Sequence, residues 1–259
     1  MTRRPPLAVQ RAVLYALIAR ELRARFGAYR LGYLWALLEP IAHVVLLCLI
    51  FGARGRGDMA GVELPAFMIT GIVPFLLFRN GVTRTMTAVE ANSGLFSYRQ
   101  VKPLDAALAR LALEAVIHLF VLAALLLGAA YLGYAVPVRD PLVALAALGL
   151  IAGLGAGFGL IACVLACRFE ETKKVLPVLM RPLYFTSGVF FTLDAVPAQF
   201  QPYLLWNPVL HGIELFRGGI VVVHAEAHGS FAYLGLATLV VLYVGLAAFR
   251  RDRFAMVTT

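Results

Sequence analysis

"YLLWNPVLHGIELFRGG" occupies Tyr203–Gly219. It is apolar enough to lie in a membrane, yet Asn207, Pro208, His211, Glu214, Arg217 and a glycine pair interrupt it. Whether it crosses decides the number of spans, and with it the side on which every loop lies. Of the 259 residues, 61% are hydrophobic and only 14% charged, against roughly 25% charged in soluble domains. A soluble domain of this size cannot hide so much apolar surface. The composition therefore predicts an all-α integral membrane protein with one transmembrane domain.

Long apolar runs predict six transmembrane helices, over 34–52, 64–80, 106–134, 141–167, 175–193 and 231–249. The second contains Pro74 and is expected to continue past Arg79 into an aqueous loop; the fifth is broken near Arg181-Pro182. Orientation follows from the basic residues. Nineteen of the 23 Lys and Arg lie before the first span, between spans two and three, between four and five, or after the last, counting Arg79, Arg110 and Arg181 just inside span ends on that side. Only Arg54, Arg56, Arg139 and Arg217 fall on the other side. Basic loops stay in the cytoplasm, so both termini are expected there and the span count is even. The net charge of +9 therefore reports orientation rather than nucleic-acid binding.

A seventh crossing at Tyr203–Val223 would put the basic tail outside. A re-entrant segment over 194–225 fits instead, provided protein or a water-filled cavity covers it. Pro208 suits the first helical position, with Asn207 as its cap, and Gly218-Gly219 would end the helix. His211, Glu214 and Arg217 recur at three-residue spacing and are expected to pair locally on one face. With Asp194 and Trp206 they form a predicted lining or gate at the exit.

Residues 7–30 are too charged to span. Leu14, Leu17, Ile18 and Leu22 share a helical face, although Arg11, Glu21 and Arg25 spoil the apolar side. An interfacial helix on the cytoplasmic leaflet is expected, with a solvated basic arm as the alternative. The stretch lacks the uninterrupted apolar core and cleavage site of a signal peptide. Tyr29, Tyr33 and Trp35 then sit where an aromatic belt belongs. Glu39-Pro40 and His43 lie inside the first span, where ionisable groups face a cavity or partner unless satisfied locally.

The loop over 82–104 is expected to stay helical to Ala91 and stop at "NSG", with Gly94 left-handed. Leu95 and Phe96 would then project beside Tyr98, Arg99 and Lys102 as a docking element for a soluble partner, or fold back onto the membrane. Asp105 is expected to cap the next helix, with Arg110 at its cytoplasmic end. In the fourth span, Gly149, Gly153 and Gly157 form one small-residue row and Gly155 and Gly159 another, read as intrachain packing. Neither a P-loop nor a dinucleotide fingerprint occurs. Cys48, Cys163 and Cys167 lie in apolar runs and read as packing residues. "HAEAH" (His224–His228) matches no zinc spacing, and no metal site is expected.

"RELRARFGAYRLGYLWALLEP" (Arg20–Pro40), the six spans and "NPVLHGIELFR" (Asn207–Arg217) together resemble the permease subunits of bacterial ABC exporters for cell-surface polysaccharide. The capsular polysaccharide exporters are the nearest match; the O-antigen and teichoic acid exporters are relatives. The resemblance covers essentially the whole chain. It implies a homodimer in the bacterial inner membrane, working with two copies of a separate ATPase subunit. That partner, not this chain, would bind ATP and Mg. It also implies a coupling helix over roughly Arg84–Tyr98, including Glu90, seated in the ATPase. The cargo would be a lipid-linked acidic polysaccharide, handed to periplasmic and outer-membrane export proteins. Aromatic rings suit such a path: Tyr33, Trp35, Tyr184, Phe185, Phe190, Phe191 and Trp206, with Glu39 and His43. Arg25 and Arg30 would attract an anionic headgroup or sugar. Two alternatives stay open. One is a membrane enzyme using Glu39 with His43, Glu114 with His118, or His211 with Glu214. The other is an ABC permease for another lipid or small molecule.

Overall fold

The structure, a computed structural model, describes residues 5–26, 32–53, 55, 57–98, 100–221 and 228–252, with Pro6, Gly32, Tyr33 and Ala36 described by backbone alone. It is almost wholly helical: α1 (Pro6–Phe26), α2 (Gly32–Gly52), α3 (Leu64–Met86), α4 (Pro103–Tyr131), α5 (Pro141–Arg168), α6 (Thr172–Thr186), α7 (Gln201–Leu204), α8 (Pro208–Ile220) and α9 (Phe231–Asp252). A short hairpin, β1 (Asp58–Met59) with β2 (Val62–Glu63), joins α2 to α3. It turns through Ala60 and Gly61, both at positive φ.

By length and composition α3, α4, α5 and α9 can each cross a membrane, and α2 adds a shorter apolar stretch at Leu37–Gly52. The central element is α3, whose Phe67, Met68, Ile69, Ile72, Val73 and Phe75 are all buried. It packs chiefly against α5 and α4, and also against α8 and α2, while α9 lies on the far side of α5. Pro74 lacks the N–H that would bond the Thr70 carbonyl.

The two glycine rows of α5 explain its central place. A Cβ on Gly155 or Gly159 would meet Phe78 or Thr85 of α3. One on Gly153 or Gly157 would meet Thr238 or Val241 and Leu242 of α9. Both rows are used inside the chain, as close backbone approach requires.

Several local expectations are corrected. The helix of the fifth apolar run ends at Thr186 rather than near 193; Gly188 follows at φ +72°. Its 15 residues reach only ~22 Å, and it tolerates both Pro177 and Pro182. Gly94 is not left-handed: α3 stops at Met86, and a 3₁₀ turn over Glu90–Leu95 runs straight through "NSG". Asn92 supports that turn by donating to the Ala88 carbonyl at 2.9 Å. Gly218-Gly219 does not end α8, which continues to Ile220. Gly219 instead lets the backbone of Ala144 approach, and its carbonyl accepts from Asp140 N at 2.8 Å. Asp105 caps α4 from the third helical position, accepting from Lys102 N at 3.0 Å.

Candidate functional site

A cavity of about 630 Å³ opens between α1, α2, α3 and α6, at the end of the bundle that the basic-residue count assigns to the cytoplasm. Arg25, Glu39, His43, Tyr184 and Phe185, all expected on the path, line it together. Arg84, expected in the coupling segment, lines it too. Sequence reasoning missed Arg79, Asn80, Thr83, Thr87 and Arg181. Their signal was available: Arg79, Thr83 and Thr87 recur every four residues, which puts them on one helix face.

Among the described residues, four guanidinium groups thus surround one space, with a single lining carboxylate, Glu39. That carboxylate is largely exposed and 3.9 Å from Arg79. Arg25 is also paired with Glu114 behind the wall, and low-dielectric walls focus the field of the net positive charge left on the lining. One wall is aromatic. Tyr184 packs on Phe75, Phe185 and Phe190, and Phe185 stacks on Phe190. The Tyr184 hydroxyl lies 3.0 Å from His43 Nε2. Guanidiniums bind oxyanions bidentately, and aromatic faces take up sugar rings or hydrocarbon. The cavity therefore suits an anionic, partly apolar guest. Trp35 is exposed away from it, and Phe191 is half-buried outside it. Arg30 and Arg99 fall outside the described residues, as does the Tyr33 side chain.

Behind the cavity lies a charged seam. Glu21 meets Arg110 Nε at 3.0 Å, and Arg25 is paired with Glu114. Arg110 also donates to the Arg84 carbonyl and Thr87 Oγ1, each at 2.8 Å. Arg20 donates to Asn92 at 2.8 Å and Gln10 to Asp105 at 2.6 Å. Two of the residues that spoil the apolar face of α1, Glu21 and Arg25, thus fasten it to α4, and Arg20 joins it to the turn after α3. His118 Nδ1 faces the Glu114 carbonyl at 2.8 Å, so this pair is built into the helix rather than poised for catalysis.

In the turn itself, Leu95 and Phe96 are half-buried rather than projecting, and Phe96 packs on a small core of Ala88, Val89, Ala107, Cys163 and Phe249. Tyr98 and Lys102 are exposed. Glu90 binds Lys173 at 2.7 Å, joining the turn to the start of α6.

At the opposite end, Asn207 caps α8, accepting from Val209 N at 3.0 Å, with Pro208 in the first turn. The expected local pairing does not occur: no ion pair links His211, Glu214 and Arg217 among the described residues. Each reaches a different segment. His211 bonds the Leu205 carbonyl at 2.9 Å and Ser230 N at 3.1 Å. Glu214 accepts from Leu193 N at 3.1 Å. Arg217, 1% exposed, donates to the Gly188 carbonyl at 2.9 Å and lies over the Phe67 ring at 3.9 Å. Asp194 binds His228 at 2.7 Å; Trp206 is exposed, its carbonyl held by the Tyr233 hydroxyl. The rest of "HAEAH" lies outside the described residues.

A polytopic helical bundle with a basic, aromatic-walled cavity and a charge-fastened turn at its mouth has the form of a membrane permease. The chain belongs to the ABC-2 type transporter family, whose model matches residues 12–221. It is 41% identical to the polysialic acid transport protein KpsM of Escherichia coli, over 97% of both chains. It is 33% identical to the capsule polysaccharide export inner-membrane protein CtrC of Neisseria meningitidis serogroup B, over 93% of this chain and 91% of that one. The corresponding protein BexB of Haemophilus influenzae is 30% identical over the same shares.

Proposed function

We propose that this chain is the membrane-spanning subunit of an ATP-driven exporter of lipid-linked, acidic capsular polysaccharide, in the bacterial inner membrane. Two copies form the path. ATP and Mg are bound by a separate ATPase subunit, also in two copies, which engages the turn over 84–102. Six spans keep both termini in the cytoplasm: α2, α3, α4, α5, α9 and, as the fifth, α6 with the chain leading to 193. The segment 194–225, including α7 and α8, re-enters from the periplasmic face. Periplasmic and outer-membrane export proteins receive the polymer.

The observation that carries this reading is the ring of Arg25, Arg79, Arg84 and Arg181 beside Tyr184 and Phe185. An anionic headgroup or sugar would be drawn to those charges, while the rings accept the sugar or lipid without strong directional bonds. The relatives named above supply the substrate class. Cells lacking this chain should accumulate polymer in the cytoplasm and lose it from the surface. Arg79→Gln with Arg181→Gln should cut export at least about fivefold, given ~1.5–3 kcal/mol for a charged hydrogen bond. Surface staining against total polymer measures both; undiminished surface polymer in the deletion strain rejects the proposal.

A further inference from the structure

Glu114 belongs to neither the cavity lining nor the coupling turn, yet it is tied to both. Only 2% exposed, it is the carboxylate that holds Arg25, and Arg84 Nε lies 3.8 Å from the same oxygen, Oε1. Both arginines line the cavity. Its other oxygen, Oε2, accepts no hydrogen bond among the described residues. His118 Nδ1 stands 3.6 Å from this Oε2 but 2.8 Å from the Glu114 carbonyl, to which it donates. The charges that Glu114 meets at Oε1 are the two guanidiniums that also face the guest space.

Resting on the reading of the cavity as an oxyanion site, we infer that Glu114 is a built-in competitor for the cargo: a positioning residue that withholds Arg25 and Arg84 from a lipid-borne oxyanion and takes them back as it leaves. A transport site must bind its cargo weakly enough to let it go. Four uncompensated arginines alone would hold an acidic chain too firmly. A buried carboxylate sharing two of them lowers affinity without blocking entry. The return of Arg84 to Glu114 also lies one turn from Thr87, where Arg110 fastens the coupling turn to α4. Cargo release and the position of that turn are therefore linked through the same side chains.

The test uses the full-length protein in nanodiscs of neutral phosphatidylcholine, titrated with dihexanoyl phosphatidic acid and, separately, inorganic phosphate. Glu114→Gln should bind phosphatidic acid about tenfold more tightly, an effect of 1.4 kcal/mol. In the assembled exporter it should lower both the half-saturating cargo concentration and the maximal export rate. A packing defect would weaken binding instead. Equal or weaker binding by Glu114→Gln, with wild type binding normally, overturns the inference and leaves the cavity reading intact. If wild type binds neither probe, the cavity reading falls and the inference with it. Inorganic phosphate binding as tightly as phosphatidic acid overturns the lipid-borne assignment. Should Glu114→Gln fail to fold, Glu114→Asp, which keeps the charge but not the reach, should tighten binding to a lesser degree; weaker binding rejects the idea.

Discussion

Arg217 shows what a single charge costs and achieves inside this bundle. A buried guanidinium is tolerated only when its hydrogens are bonded and its charge is faced by something negative. Here the carbonyls of Gly188 and Val189, the Thr70 hydroxyl and the π-face of Phe67 meet most of this need, while Nη1 has no hydrogen-bond partner among the described residues. All but Thr70 and Phe67 belong to the irregular chain after α6, so Arg217 fixes where α6 ends. Glu214 does the same one turn away by holding Leu193 N. Replacing Arg217 by Leu strands these carbonyls and should destabilise the protein by about 2–5 kcal/mol. Arg217→Lys, one donor head without the planar fork, should lose less. Gly71 belongs to the same arrangement: a Cβ there would stand 2.7 Å from the Val189 carbonyl and 2.9 Å from Arg217 Nη2. Gly71→Ala should thus cost about 1–3 kcal/mol by overpacking. Thermal unfolding in detergent checks all three; unchanged midpoints would show that the contacts contribute nothing.

Helices in this chain are positioned by small residues and by charges, in unequal measure. On α5 the contrast lies within one row. A Cβ at Gly157 would come within 2.8 Å of Leu242 N on α9, whereas Gly149 has open space around it. Gly157→Val should separate α9 from α5 and lower stability by about 1–3 kcal/mol or more, while Gly149→Val should stay within about 0.5 kcal/mol of wild type. Equal effects would deny that the row packs against α9. Between the turn after α3 and α6 the link is ionic. Glu90 is exposed and Lys173 half-buried at the surface, so the pair's direct stability effect is small, about 0–1 kcal/mol. Its effect should appear in export: Lys173→Glu should reduce the rate, and adding Glu90→Lys should restore much of it. Hydropathy made the long helices legible, and the glycine spacing made the two α5 faces legible. The partners were not. Nothing near Glu21 or Arg25 in sequence points to Arg110 and Glu114, 89 residues away in each case. The same charges that looked like flaws in an amphipathic helix are its attachment. Gly94 and Gly218-Gly219 misled because a glycine permits a left-handed turn without requiring one. The short α6 was hidden because apolar residues continue past the last helical turn.

For the molecule in its bilayer, the decisive quantity is the path of the chain through 194–225. α8 has 13 residues and so reaches only ~20 Å, against a hydrocarbon core of ~30 Å. Its two ends are held to the same neighbourhood. His211, near its start, bonds Ser230, just before α9, while Gly219 near its end meets Asp140, just before α5. Both of those segments begin helices long enough to cross. Glu214 and Arg217 are covered by α3 and by the chain after α6, as a segment that dips into a bilayer without crossing it would require. The count of basic residues agrees, since a seventh crossing would carry Arg250 and Arg251 outward. These arguments meet in one labelling experiment. With Cys48, Cys163 and Cys167 replaced by serine, single cysteines are introduced at Ser97, Tyr131 and Phe231, all exposed on the chain. A membrane-impermeant maleimide added to spheroplasts should label Tyr131→Cys and Phe231→Cys but spare Ser97→Cys until the cells are lysed. Phe231→Cys labelled only after lysis, with Tyr131→Cys labelled from outside, would sink the re-entrant path. Protection of Tyr131→Cys with labelling of Ser97→Cys would instead invert the whole molecule. The two failures are distinct because the first depends on the covered charges of α8 and the second only on where the arginines lie.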